Sequence, residues 1–203
     1  MNAREPNLHV LTLDHTSINE IAALLGRGMA DNPIHARVYK EDDQHRARCH
    51  TRLLQTLLAA SPSLAIEGVQ QGQALIGVAA SAPPAHCQPV LSARMRLLGT
   101  AAVFGPSTAA RLLVWNRTWA RHDLREPHVH LGPVSVARHL RGRGIGGLLL
   151  MRHTARLDSV GAVGYLETDR PEAVGFYRRF GYTVVDEVAV LGVPTWLMRR
   201  PSA

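Results

Sequence analysis

The sequence predicts a mixed α/β fold, on three observations. Short apolar runs alternate with segments of helical periodicity through most of the chain. A strand–helix–strand unit over roughly 128–168 has the length of a parallel pair joined by a right-handed crossover. The 203 residues, 46% of them hydrophobic, can fill one good core. No Ser/Gly/Pro-rich linker or internal repeat divides them, so 1–203 reads as a single domain.

Residues 8–14, LHVLTLD, alternate and predict a first strand. Thr16 or Ser17 is placed to cap a helix over about 18–29, with Ile18, Ile21, Ala22 and Leu25 on one face; Asp31-Asn32-Pro33 breaks it. A second helix is predicted over 44–61, polar at its start and apolar later. Residues 63–81 read as a hairpin turning at Gln71-Gly72. A Pro-rich connection at 83–90 leads to a helical insertion over about 91–122, split at Gly105-Pro106. From 128 a strand runs into a glycine-rich corner and a helix to about 158, and 162–168 is the next strand. DRPEAVGFYRRFGY predicts a short helix capped by Asp169, with Pro171 in its first turn, Glu172 completing a capping box and Gly181 stopping it. TVVDEVAV and PTWLMRR close the chain as a pair of strands.

Composition narrows the function. Cys49 and Cys87 make no disulfide framework, which points to a reducing compartment. MNAREPNLHV lacks the apolar core of a signal peptide and no run approaches transmembrane length, so a cytoplasmic protein with no membrane partner is expected. Of the 23 basic residues behind the net charge of +7, only Lys40 is lysine. The arginines are scattered and few aromatics interleave with them. That argues against nucleic acid and fits a binder of one small polyanion. No metal site is read from the sequence.

The stretch LGPVSVARHLRGRGIGGLLL (131–150) gathers five glycines and three arginines at one corner. Gly142 to Gly147 satisfy the dinucleotide fingerprint G-x-G-x-x-G, with Glu167 about 20 residues on. However, Ala137–Arg141 make the turn too long, and too little chain follows for a second nucleotide-binding half. A nucleoside-triphosphate loop would need Gly-Lys-Ser/Thr, where this chain has Gly146-Gly147-Leu148. The third reading is R-x-x-G-x-G at a strand-to-helix turn. Consecutive amides and the helix's positive end form a nest for a pyrophosphate, glycines at 142, 144 and 146 let it approach, and Arg141 and Arg143 neutralise its charge.

V-S-V-A-R-H-L-R-G-R-G-I-G-G-L-L-L resembles the acetyl-coenzyme A motif of the GCN5-related N-acetyltransferase (GNAT) superfamily, and FYRRFGYTVV resembles its second signature, aromatic–Tyr–x–x–x–Gly–aromatic. The hairpin QQGQALIGVAA is similar to that superfamily's second and third strands. MADNPIHARVY, the helical insertion, LETDRP and the C-terminal FYRRFGYTVVDEVAVLGVPTWLMRR are also similar to puromycin N-acetyltransferase-like members. The resemblance implies a mostly antiparallel sheet of six or seven strands with a central parallel β–α–β unit, splayed strands, and helices on both faces.

It also implies chemistry: an enzyme passing an acetyl group from acetyl-CoA to a primary amine of a small molecule by direct attack in a ternary complex. Val134, Ser135 and Val136 would bond the pantetheine arm, and Arg141, Gly142, Arg143, Gly144, Ile145, Gly146 and Gly147 would surround the pyrophosphate. Tyr177 sits at the superfamily's usual acid position, for the leaving thiolate. Glu167, ahead of His130, is the candidate base. Many relatives carry an asparagine in the helix bearing the tyrosine; this chain has Arg170, Glu172 and Ala173 there and no asparagine. Asp31, Tyr39, Trp115 and Trp119 are candidates for the acceptor site: an acid for a cationic amine and aromatics for a flat group. A homodimer stays open, as do two other functions: a catalytically idle acyl-coenzyme A-binding module and a nicotinamide (NAD)-dependent oxidoreductase.

Overall fold

A computed structural model of the chain describes residues 8–203; the N-terminal residues 1–7, read above for a signal peptide, lie outside the described part. Its elements are β1 (Leu8–Leu13), α1 (Ile18–Met29), α2 (Pro33–Tyr39), α3 (Asp43–Ala59), β2 (Ala65–Gln71), β3 (Ala74–Ala82), α4 (Leu91–Val103), α5 (Pro106–His122), β4 (Val129–Val136), α6 (Ile145–Ser159), β5 (Gly164–Thr168), α7 (Pro171–Arg178), β6 (Thr183–Val190) and β7 (Val193–Arg200). The strands form one sheet of order β1-β2-β3-β4-β5-β7-β6. Every neighbouring pair is antiparallel except β4–β5, which is parallel as the central unit requires. A sheet with one parallel pair is not doubly wound, and this removes the dinucleotide-fold reading of the glycine corner.

Period-two alternation along β3 divides the interior between the two faces of the sheet. Gly77 and Ala79 face α6, within a cluster built on Ile145, Leu149, Leu150, Leu166 and Met198. Val78 and Ala80 face α1 and α3, against Ile21, Leu25, Leu54 and Leu58. A third cluster, away from the sheet centre, joins α2, α3, α4 and α5 through Ile34, Val38, Cys49, Ala101 and Leu112. No described helix is long and apolar enough to cross a membrane.

Three local expectations change. Pro33 does end α1, but it also starts α2 at a first-turn position where its missing N–H costs nothing. Asp169 does not cap its own helix. Its carboxylate accepts from the Ile34 amide at 2.7 Å, so it caps α2 from 135 residues away, while Glu172 pairs with Arg170 at 2.6 Å. Ser17 does occupy the N-cap position of α1, but without a side-chain bond. The capping oxygen is on Asp14, which accepts from the Thr16 amide at 2.9 Å and caps the short 3-10 turn over His15–Ser17 ahead of the helix.

Candidate functional site

Two structural events meet at the end of β4. Val129 pairs with Gly164 and His130 with Tyr165, and there the parallel ladder stops. Beyond it, β4 keeps its bonds to β3 (Val134 opposite Ala79, Ser135 opposite Val78, Val136 opposite Gly77), while β5 pairs with β7 alone. A bulge at Gly132-Pro133, marked by the register shift between Ala79 and Ser81, turns β4 away. The edge of β4 facing β5 is therefore open backbone at 134–136. Ser135 is buried and its side chain lies under α1, against Gly28.

The glycine corner follows at once. Gly142 and Gly144 hold φ of +78° and +82°, a left-handed region costly for other residues, and a Cβ on either would enter open space. Among the described residues, no group accepts from the amides of 142–147, and α6 starts at Ile145 without an acidic residue in its first turn. A Cβ at 146 would lie 3.4 Å from the Phe176 ring and one at 147 would lie 3.9 Å from Phe180, ordinary contact distances, so both positions lie where α7 packs on α6.

The arginines divide. Arg141 bonds Asp31 at 2.6 Å and the Gly28 carbonyl, bracing the corner against α1. Arg138 and Arg170 reach the same carboxylate, each at 3.4 Å. Burial alone would raise the Asp31 carboxyl, but the Arg141 bond and the three guanidinium charges outweigh it and lower it to about 2. Asp31 thus pairs with three arginines. Arg143 is exposed and has no acidic partner among the described residues.

Where β4 and β5 part, residues two apart on each strand share a face. His130 Nε2 lies 2.7 Å from Glu167 Oε2, and the Glu167 side chain is 2% exposed. Burial opposes charge on His130, yet Glu167 and Cys87 together push it up to about 10. Half-buried Cys87 and Asp123, which the sequence reading left out, join His128 and His130 in one polar group. Only the paired histidines of β4 hinted at it, because Cys87 and Asp123 arrive on connections from elsewhere in the chain. Burial is again overridden as the bonds from both histidines bring the Cys87 thiol down to about 7.

Tyr177 lies on α7 with its ring 5.2 Å from Phe176 and 6.1 Å from Tyr182. Burial, with the Asp169 carboxylate nearby, pushes its phenol up to about 12, so it stays protonated at neutral pH. Its hydroxyl has no hydrogen-bond partner among the described residues.

The aromatic candidates do not line an open cleft. Tyr39 is 2% exposed with its hydroxyl 3.1 Å from His50 Nδ1, and Trp115 packs edge-on against Trp119 and His35. They belong to the third apolar cluster.

The mixed seven-stranded sheet, whose one parallel pair parts beside a glycine-rich helix start, is a GNAT-like architecture. Residues 35–182 match the Acetyltransferase (GNAT) family, and the chain belongs to it. Its fold is similar to that of a histone acetyltransferase and related acetyltransferase from Corynebacterium glutamicum, with a TM-score of 0.70, 22% identity and 97% of each chain covered. The polyamine N-acetyltransferase of Drosophila melanogaster, which forms N-acetylagmatine, superposes with a TM-score of 0.66 at 12% identity, covering 96% of this chain and all of that one (100%). The PaiA N-acetyltransferase of Thermoplasma acidophilum, solved with coenzyme A, gives 0.57 at 12% identity, covering 96% and 99%.

Proposed function

We propose that this chain is an N-acetyltransferase, one domain over 1–203, that moves an acetyl group from acetyl-CoA to a primary amine of a small molecule in a ternary complex. The observation that carries the reading is the parting of β4 from β5 beyond His130 and Tyr165, beside the unpaired amides of 142–147. Acetyl-CoA supplies an activated thioester. The residues present fit it: the open edge at Val134–Val136 offers backbone donors and acceptors to an amide-bearing arm, and the corner's amides with exposed Arg143 suit a pyrophosphate. Arg141 holds that corner in shape through Asp31.

The Tyr177 hydroxyl, held protonated at neutral pH, would supply the proton that a departing thiolate needs. Glu167, oriented by His130, takes the proton that the attacking amine must lose, directly or through water. The acceptor is a small molecule, and no nucleic acid or membrane partner is invoked; the resemblance to puromycin-type members and the polyamine-acetylating neighbour set the first amines to try.

The test is thiol release from acetyl-CoA with a panel of aminonucleosides, aminoglycosides, polyamines and peptide N-termini, on the parent and on Tyr177→Phe. Phe preserves the packing against Phe176, so melting temperature and coenzyme A affinity should hold while kcat drops about 100-fold or more. Full activity in Tyr177→Phe would remove the tyrosine from the mechanism. Coenzyme A binding with no amine accepted would make the chain an idle module.

A further inference from the structure

Cys87, His128 and His130 present one donor atom each within 4.8 Å of one another; the acetyl-transfer reading uses His130 through its Nε2 bond to Glu167 and leaves Cys87 and His128 without a role. Three separate stretches of chain deliver it: the connection after β3, the start of β4, and the turn after α5 that contributes Asp123.

The hydrogen bonds around the cluster decide what it can hold. His128 Nδ1 lies 2.9 Å from the Glu126 carbonyl oxygen, which can only accept, so Nδ1 carries a proton and donates. In the neutral ring, Nε2 then presents a lone pair, and it lies 3.4 Å from Cys87 Sγ. Asp123 Oδ1 lies 3.1 Å from the same nitrogen, is fully buried, and makes no hydrogen bond. The other carboxylate oxygen, Oδ2, is the one met by Gln88 Nε2, at 3.5 Å. Two lone pairs and a sulfur that converge in this way call for a positive centre among them. A proton on Nε2 would leave Asp123 Oδ1 without a well-directed bond; a cation takes the Nε2 lone pair and the thiolate together, with Asp123 alongside.

We infer that Cys87, His128 and His130, with Asp123 beside His128, form a site for a borderline-soft divalent cation of the Zn2+ type. Thiolate, imidazole and carboxylate together make a tetrahedral zinc set and are a poor match for Mg2+ or Ca2+. Donors around a tetrahedral zinc lie about 3.3–3.8 Å apart, so the Cys87, His128 and His130 donors, all within 4.8 Å of one another, have to close by at most about 1.5 Å. The fourth position falls to Asp123 Oδ1 once it moves in, or to water. Each histidine also has the outer partner that zinc-bound imidazoles use. The Glu126 carbonyl holds His128, and the Glu167 carboxylate, 2.7 Å away, holds His130. Binding displaces the thiol proton of Cys87 to solvent and ties three stretches of chain together beside the gap between β4 and β5.

The test uses untagged full-length protein, stripped with a chelator and dialysed, then titrated with Co2+. One equivalent should give a thiolate-to-cobalt charge-transfer band and the intense visible bands of tetrahedral cobalt; Zn2+ should abolish them and Mg2+ should not. Cys87→Ser should lose the charge-transfer band, His128→Ala should lose the spectrum, and Cys49→Ser, which removes the other cysteine, should keep all of it. Zn2+ should also raise the melting temperature of the parent and of Cys49→Ser, but not of Cys87→Ser. A parent protein with no thiolate band, or a band that follows Cys49, overturns the assignment. These readouts involve no acetyl transfer, so they stand or fall apart from the proposed activity.

Discussion

Gly144 and Gly72 form a matched pair for testing the corner. Both hold positive φ, +82° and +62°, and a Cβ on either meets nothing within 4 Å. Alanine at each position therefore pays the same left-handed backbone cost, about 1–2 kcal/mol. For a chain of this size, that is a melting-temperature drop of about 2–8 °C. The strain is present with and without ligand, so it cancels from the binding equilibrium. The difference lies in location: Gly72 turns the β2–β3 hairpin, while Gly144 caps α6 at the corner. A methyl group at 144 intrudes where a phosphate would meet the amides. Losing one charge-assisted hydrogen bond, about 1.5–3 kcal/mol, weakens coenzyme A binding by about 10- to 100-fold. Calorimetric titration with coenzyme A, beside thermal denaturation of both variants, separates the effects. Gly144→Ala binding as tightly as the parent would move the pyrophosphate elsewhere. Equal weakening in Gly72→Ala would make the loss global.

Two further predictions concern stability. Asp169→Ala removes the cap that α2 takes from across the fold and should cost about 1–2 kcal/mol in denaturant unfolding, with Asp169→Asn recovering most of it; no loss in the alanine variant would refute the cap. His153 is buried beside Tyr182, its Nε2 2.9 Å from that hydroxyl, and burial, then the charges of Arg156 and Arg200, lower it from 6.5 to about 4. Its folded form resists the proton that the unfolded form takes up, so its stabilisation is complete above pH 6.5 and is lost as pH falls toward 4. Between pH 7 and pH 5 that amounts to about 2 kcal/mol, and His153→Gln should flatten the stability–pH curve by that amount; an unchanged slope would show another group responsible.

Much of the fold was legible because its signals are local. Period-two alternation in 8–13 and 65–82, the Gly105-Pro106 break and the strand-to-helix glycine corner each depend on neighbours within a turn or two. Helix α2 escaped because its N-terminal cap comes from Asp169, on the far side of the sequence; Pro33 alone reads equally well as an end or a beginning. Arg141 shows the same limit. Its charge beside the glycines was plain, but its partner Asp31 lies 110 positions away, so the bond that ties the corner to the end of α1 was not readable.

The two halves of the site differ for the same physical reason. The half assigned to the cofactor is built from backbone: an open strand edge and a run of amides whose directions are set by φ at 142 and 144. Backbone conformation is written in consecutive residues, so the glycine spacing exposes it. The half assigned to the chemistry is built from side chains that meet only in the folded chain. His130 and Glu167 come together because β4 and β5 start in register and then part; Cys87 and Asp123 join them from two connections with no periodicity of their own. The one trace of that half in the sequence is the spacing of His128 and His130, which puts both rings on one face of a strand. The same reasoning explains Tyr39, Trp115 and Trp119. Aromatics capable of stacking on a ligand are equally capable of stacking on one another, and α2 packed against α5 brings them close enough to do so.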